Sequence, residues 1–186
     1  MQNDNRALVE IERIGTIDID GTNERITTAG PPPGQAWYAN YGHPVFAMDG
    51  ESLFFGRRGG IDQSNPDGSN LHPVFETDGS IAMVTVSPDG ASLAIHAGYG
   101  CGLRTVPIAQ AHETCTIGTT IHAGSSATRA AWSTNGLLAF ADSYHRILVA
   151  DLEAGSAPEV VLDTKQGLGG VYVDEVAWSP AGTVIP

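Results

Sequence analysis

Positive charge is what this chain of 186 residues has least of: nine lysines and arginines stand against 21 aspartates and glutamates, and Lys165 is its one lysine. A formal net charge of −12 repels phosphate backbones and anionic headgroups, so neither nucleic acid nor a membrane surface is an expected partner. Long apolar runs are lacking as well. None approaches the ~18 residues that span a bilayer, and the opening Met-Gln-Asn-Asp-Asn-Arg lacks the basic and apolar regions of a secretory signal. The expected location is cytoplasmic for the sequence as written, or periplasmic or extracellular where a leader precedes it. Cysteine is scarce, and Cys101 and Cys115 are too few for a disulfide framework. If a hairpin turn centres near Ile108 and Ala109, these two face each other across antiparallel strands, either bridged or as two thiols.

Catalytic and cofactor motifs are also missing. No Gly-x-x-x-x-Gly-Lys phosphate loop occurs, and Gly98-Tyr99-Gly100 and Gly167-Leu168-Gly169-Gly170 precede no expected helix. Ser133 and Ser179 follow tryptophans but lie outside any Gly-x-Ser-x-Gly nucleophile elbow, so their hydroxyls are expected to bond backbone at a strand end. Asp18-Ile19-Asp20-Gly21 has the acidic start of a calcium loop, yet Thr22 and the absence of a late Glu break that pattern. A tight hairpin turn is expected there instead. His43, His72, His96, His112, His122 and His145 never fall at compact ligand spacings, and read as scattered polar and core residues rather than a metal site. The sequence therefore points to no catalytic residue, no cofactor and no metal.

What is present is a turn-rich repeat. Apolar residues make up 41% and charged residues 16%, as in a globular chain, and 23 glycines and 11 prolines are spread among short apolar runs. In Val84-Thr85-Val86-Ser87-Pro88-Asp89-Gly90-Ala91-Ser92-Leu93-Ala94-Ile95, alternation breaks at Ser-Pro-Asp-Gly and resumes, which is a β-hairpin signal. Its glycine aligns with Gly50, Gly136 and Gly182, at intervals of 40, 46 and 46 residues. Four positions before each stands a large apolar residue: Phe46, Val86, Trp132 and Trp178. A second hairpin recurs out of phase. Ile17-Asp18-Ile19-Asp20-Gly21-Thr22-Asn23 leads into Glu24-Arg25-Ile26-Thr27-Thr28, and Asp67-Gly68-Ser69-Asn70 repeats its turn 47 residues later. Further copies are Thr105-Val106-Pro107-Ile108 with Cys115-Thr116-Ile117, and Ile147 to Asp151 with Val160-Val161-Leu162.

Two hairpins per 40 to 46 residues make four short strands, the blade of a β-propeller. The expected fold is all-β, of four-stranded antiparallel blades. The expected units are a half-blade at 7–28, blades at about 38–76, 80–118 and 128–163, and a half-blade at 171–186. The half-blades could pair into a fourth blade, the chain could be part of a larger ring, or two copies could complete one together.

These repeats resemble the TolB-type, WD40-like propeller repeat, with its apolar strand, Trp-Ser-Pro-Asp-Gly turn and second apolar strand. The match is carried by Val86 to Ile95, Ala131-Trp132-Ser133-Thr134-Asn135-Gly136 and Ala177-Trp178-Ser179-Pro180-Ala181-Gly182, and by Arg25-Ile26-Thr27 in the last strand. The unit with Ala47-Met48 and the polar Ile61-Asp62-Gln63-Ser64 departs most. The resemblance covers nearly the whole chain. It implies a propeller of a kind that occurs in periplasmic scaffold proteins and beside the catalytic parts of prolyl-oligopeptidase-like peptidases and carbohydrate-active enzymes. Such propellers usually have six or seven blades.

In a propeller, the loops joining strands two and three share a face with the connections between blades. Here that face is expected to carry Trp37, Tyr38, Tyr41, His43, Arg57, Arg58, Tyr99, Tyr144 and His145. Aromatic residues and arginine are favoured where partners bind, although the same aromatics could cover blade rims. The leading expectation is a non-enzymatic module that binds a protein or peptide on this face. The alternative is an accessory propeller of a peptidase or carbohydrate-active enzyme, separated from its catalytic part.

Overall fold

The computed structural model describes residues 14–26, 42–97, 102–108, 119–123, 129–142, 145–167, 172–173, 175–179 and 184–185. The local hairpin turns position everything else. At Ser87 the backbone N–H donates to Ser92 O, Gly90 N donates to Ser87 O, and Ser92 N donates to the Ser87 hydroxyl, all at 2.9 Å. Ala47 to Ser52 and Ser133 to Leu137 close in the same way, and the Ser133 hydroxyl accepts from Leu137 N at 2.9 Å. The expected structural role of that serine is thus observed. Gly50, Gly90 and Gly136 have φ of 71°, 70° and 81°, values that exclude most side chains.

The acidic turn at Asp18 is likewise a hairpin turn. Gly21 N donates to Asp18 O at 2.8 Å, while Thr22 donates its N–H and its hydroxyl to one Asp20 oxygen. Forty-seven positions on, Ser69 makes the same two bonds to Asp67, and Asn23 and Asn70 share φ of 54°. These bonds hold the Asp20 and Asp67 carboxyls below the usual carboxylate range.

The strands follow as β1 (Gly15–Thr16), β2 (Arg25–Ile26), β3 (Gly42–Phe46), β4 (Leu53–Ser64), β5 (His72–Val86), β6 (Ser92–Ala97), β7 (Gly102–Pro107) and β8 (Thr119–His122). Then come β9 (Ala130–Trp132), β10 (Leu137–Asp142), β11 (Arg146–Asp151), β12 (Glu159–Asp163), one helical turn α1 (Thr164–Gly167), β13 (Ala177–Trp178) and β14 (Val184–Ile185). Every ladder is antiparallel. Among the described residues no helix is long and apolar enough to cross a membrane.

Two long strands conceal the repeat. An extended chain from Ser52 to Gln63 would separate its ends by about 36 Å, yet Gln63 Nε2 donates to Ser52 Oγ at 3.0 Å. β4 therefore doubles back on itself near Gly59, whose φ is 83°. Its first arm pairs with β3 and its second with β5. β5 in turn serves two sheets: His72 to Ser80 pairs with β4, and Ile81 to Val86 pairs with β6. The first complete sheet is β3, both arms of β4 and early β5. The second is late β5, β6, β7 and β8, and the third is the four-stranded β9-β10-β11-β12.

The second sheet corrects one expectation. β7 pairs with Thr119 to His122, in the register Leu103 to His122 and Thr105 to Thr119, not around a turn at Ile108 and Ala109. The β-branched Thr119-Thr120-Ile121 supplies the pairing strand. Cys101 and Cys115 lie outside the described residues.

The sheets stack face to face through their middle strands, which are buried on both sides. Leu93 and Ile95 of β6 join Phe54, Ile61 and Phe75 of the first sheet, whereas Ala94 between them joins Leu138 and Phe140 of the third. β10 repeats the device, with Ala139 and Ala141 turned toward Val173 and Val176. Period-two alternation thus sends large residues to one neighbour and alanines to the other. At the ends, Ile14 packs on Leu53 and Phe55, and Thr16 Oγ1 donates to Pro66 O at 2.9 Å. Trp178 Nε1 donates to Ala131 O, also at 2.9 Å. β1-β2 and β13-β14 are separate two-stranded sheets, and no ladder joins them among the described residues.

Candidate functional site

Antiparallel meanders place the turns between second and third strands at the same end as the connections to the next sheet. Contacts bear this out in the third sheet. The turn between β10 and β11 presents His145, whose carbonyl accepts from Thr164 N at 2.8 Å and Thr164 Oγ1 at 3.1 Å. The His145 ring lies 4.9 Å from that of Tyr172, in the connection toward β13, and Tyr172 is 69% exposed. In the first sheet, Arg58 at the β4 reversal pairs with Ser80 of the connection.

On this loop face a polar cluster joins the second and third sheets. Asp142, which ends β10 and is buried, accepts from Arg146 at the start of β11. Its other oxygen lies 3.2 Å from His122 Nε2, at the end of β8. The His122 ring also packs on Phe140, with centroids 5.6 Å apart. His96, at the end of β6, is buried, and its Nδ1 has no hydrogen-bond partner. Burial, and then the neighbouring His122, hold the His96 pKa below its ordinary value. The carboxylate orients the imidazole and draws the Arg146 guanidinium toward the sheet junction. Arg146 keeps 43% of its side-chain surface exposed and presents a cation to incoming groups. Among the described residues no three His, Cys, Asp or Glu groups form a metal-binding set.

The expected partner-binding residues divide unevenly. Trp37, Tyr38, Tyr41, Tyr99 and Tyr144 lie outside the described residues, as does the side chain of Arg58. His43 sits in β3 with φ of 55°, where the β3–β4 ladder shifts register. Arg57 Nε bonds Asp62 Oδ1 at 2.6 Å, within its own β4 hairpin. Only His145 joins the exposed stack on the described part of the face. Sequence reasoning missed Asp142, Arg146, His122 and Tyr172. A signal existed for the first: Asp142 closes the apolar run Leu137 to Ala141, with Arg146 four positions on. Nothing in their spacing links His96 and His122, which come near each other because both pair with Leu103 of β7, one on each side of it.

The opposite face carries a groove of about 850 Å³ between the second and third sheets. Ile121, Trp132 and Leu152 supply apolar walls, and Asp89, Asp151 and Glu153 line it with carboxylates.

No protein-family model matches the chain. No curated protein matches it either. Among solved structures, it is similar to a TolB-like protein from Agrobacterium tumefaciens, at 18% identity and a TM-score of 0.65, over 93% of this chain and 60% of that one. It is similar also to a chain in the crystal structure of a nidogen/laminin complex, at 15% identity and a TM-score of 0.61, over 85% of this chain and 58% of that one. The chain thus spans about three fifths of the length of each of these proteins. The stacked four-stranded sheets, the repeated turns and this likeness agree: in fold, the chain is a β-propeller built of four-stranded antiparallel blades, similar to that of the TolB-like protein.

Proposed function

We propose that this propeller is a non-enzymatic module that binds a protein or peptide on the loop face. The observation that carries the reading is the exposed Tyr172 ring stacked on His145, one residue from the half-exposed Arg146 guanidinium. A planar aromatic stacked on His145 and an arginine held by the buried Asp142 offer contact area at low entropic cost, as binding hot spots do. Trp37, Tyr38, Tyr41, His43, Arg57, Arg58, Tyr99 and Tyr144 belong to the proposed face by their place in the repeat. The similar chain from a nidogen/laminin complex comes from a protein assembly, which supports binding as the role.

The test is panning of a random peptide library against the full chain, followed by affinity measurement on the Tyr172→Ala/Arg146→Ala variant. Enriched peptides should lose about tenfold or more in affinity, the effect of removing one or two hot-spot residues. Peptides that bind both proteins equally, or a library that yields no binder, would overturn the proposal.

A further inference from the structure

We infer that the groove on the opposite face receives an extended peptide segment bearing lysine or arginine. This site is separate from the proposed loop-face site and does not depend on it. Its volume of about 850 Å³ lies within the range of ligand-binding clefts. The charges along it have one sign among the described residues: Asp89, Asp151 and Glu153 line the groove, and no described lysine, arginine or histidine does. Hydrogen bonds from the Ser87 hydroxyl and Ala91 N hold the Asp89 carboxyl below its usual range, so its charge persists under mild acid. The chain has a net charge of −12, which draws a cationic segment toward it before contact.

A second observation comes from the repeat itself. Trp178 and Trp132 hold equivalent positions in successive sheets, opposite Val184 and Leu138 respectively. The Trp178 indole N–H crosses to the preceding sheet and donates to Ala131 O. The Trp132 indole N–H is buried and has no partner, and its side chain lines the groove. The bond that closes one sheet junction is therefore missing where the groove opens. A bound segment would rest its apolar groups on Ile121, Trp132 and Leu152 and aim its cationic side chains at the three carboxylates.

The test uses the full chain and a fluorescein-labelled octapeptide of alternating alanine and lysine, with the glutamate counterpart as control, read by anisotropy. The lysine peptide should bind, and the Asp151→Asn/Glu153→Gln variant should weaken it about five- to tenfold, the effect of two solvated ion pairs. The Glu24→Gln/Glu51→Gln variant removes the same charge elsewhere and should leave affinity unchanged. During titration the Trp132 indole ¹H–¹⁵N resonance should shift while that of Trp178 stays. Equal loss in both double variants would reduce the effect to diffuse attraction and overturn the inference. So would equal binding of the glutamate peptide, no binding of the lysine peptide, or a stationary Trp132 resonance.

Discussion

Replacing Asp142 with alanine should loosen the junction between the second and third sheets. Asp142 is buried, and its two oxygens meet His122 of β8 and Arg146 of β11, so one carboxylate ties two sheets together. Hydrogen bonds to a charged group contribute about 1.5–3 kcal/mol each in net terms. His122 and Arg146 retain 24% and 43% of their side-chain surface, so both rehydrate when the carboxylate is gone, and the lower end of that range applies. The expected loss is about 3 kcal/mol, or about 6–12 °C in melting temperature for a domain of this size. Asp142→Asn keeps the shape and one acceptor and should lose about half as much. Urea denaturation at pH 7.5 measures the change. A double-mutant cycle with Arg146→Met should give a coupling of about 1 kcal/mol. Amide exchange at Ile121 should accelerate in Asp142→Ala, because β8 is the strand released. A loss below about 0.5 kcal/mol, within the range of ordinary surface substitutions, would refute the idea that this cluster joins the sheets.

Three further outcomes follow from the geometry. At Gly60, a Cβ atom would lie 2.0 Å from the Phe75 carbonyl oxygen, so Gly60→Ala should cost at least about 2 kcal/mol in urea denaturation; an unchanged midpoint would contradict the fold-back of β4. Trp178→Phe should destabilise the chain by about 1 kcal/mol more than Trp132→Phe, since only the first removes a made hydrogen bond; thermal melts showing equal losses would count against that difference. His96 is held below its ordinary pKa of 6.5, by burial first and by His122 second. As pH falls through 6.5, the unfolded chain takes up the proton that the folded chain resists, so stability declines toward the lower folded value. His96→Gln should make the fall in melting temperature between about pH 7.5 and 5.5 shallower, and an identical slope would remove His96 as its source.

Much of the fold was legible because its determinants are local. The Ser-Pro-Asp-Gly hairpin, its relatives at Gly50 and Gly136, and the Asp20 and Asp67 turns each depend on residues within five positions. Their backbone bonds close as the spacing implies. Period-two apolar runs fix which residues of β6 and β10 face each neighbouring sheet, and the four-stranded repeat emerges from them. Asp89 serves its own turn, with Asn135 in the matching place of the next copy, so the repeat identifies it as structural before it lines anything.

Tertiary structure decided the rest, because stacking brings together residues that spacing cannot relate. His122 reaches Asp142 across 20 positions, His145 meets Tyr172 across 27, and β8 pairs at Thr119 rather than Cys115 because ladder register is settled between strands. Arg57, legible as a cation on a loop, turns inward because Asp62 returns beside it when β4 folds back. The sequence by itself determined the turns, the strands and the alternation that builds a propeller blade. Only the packing of blade on blade decided which donors stay unmet, which carboxylates share a groove, and which cations face solvent.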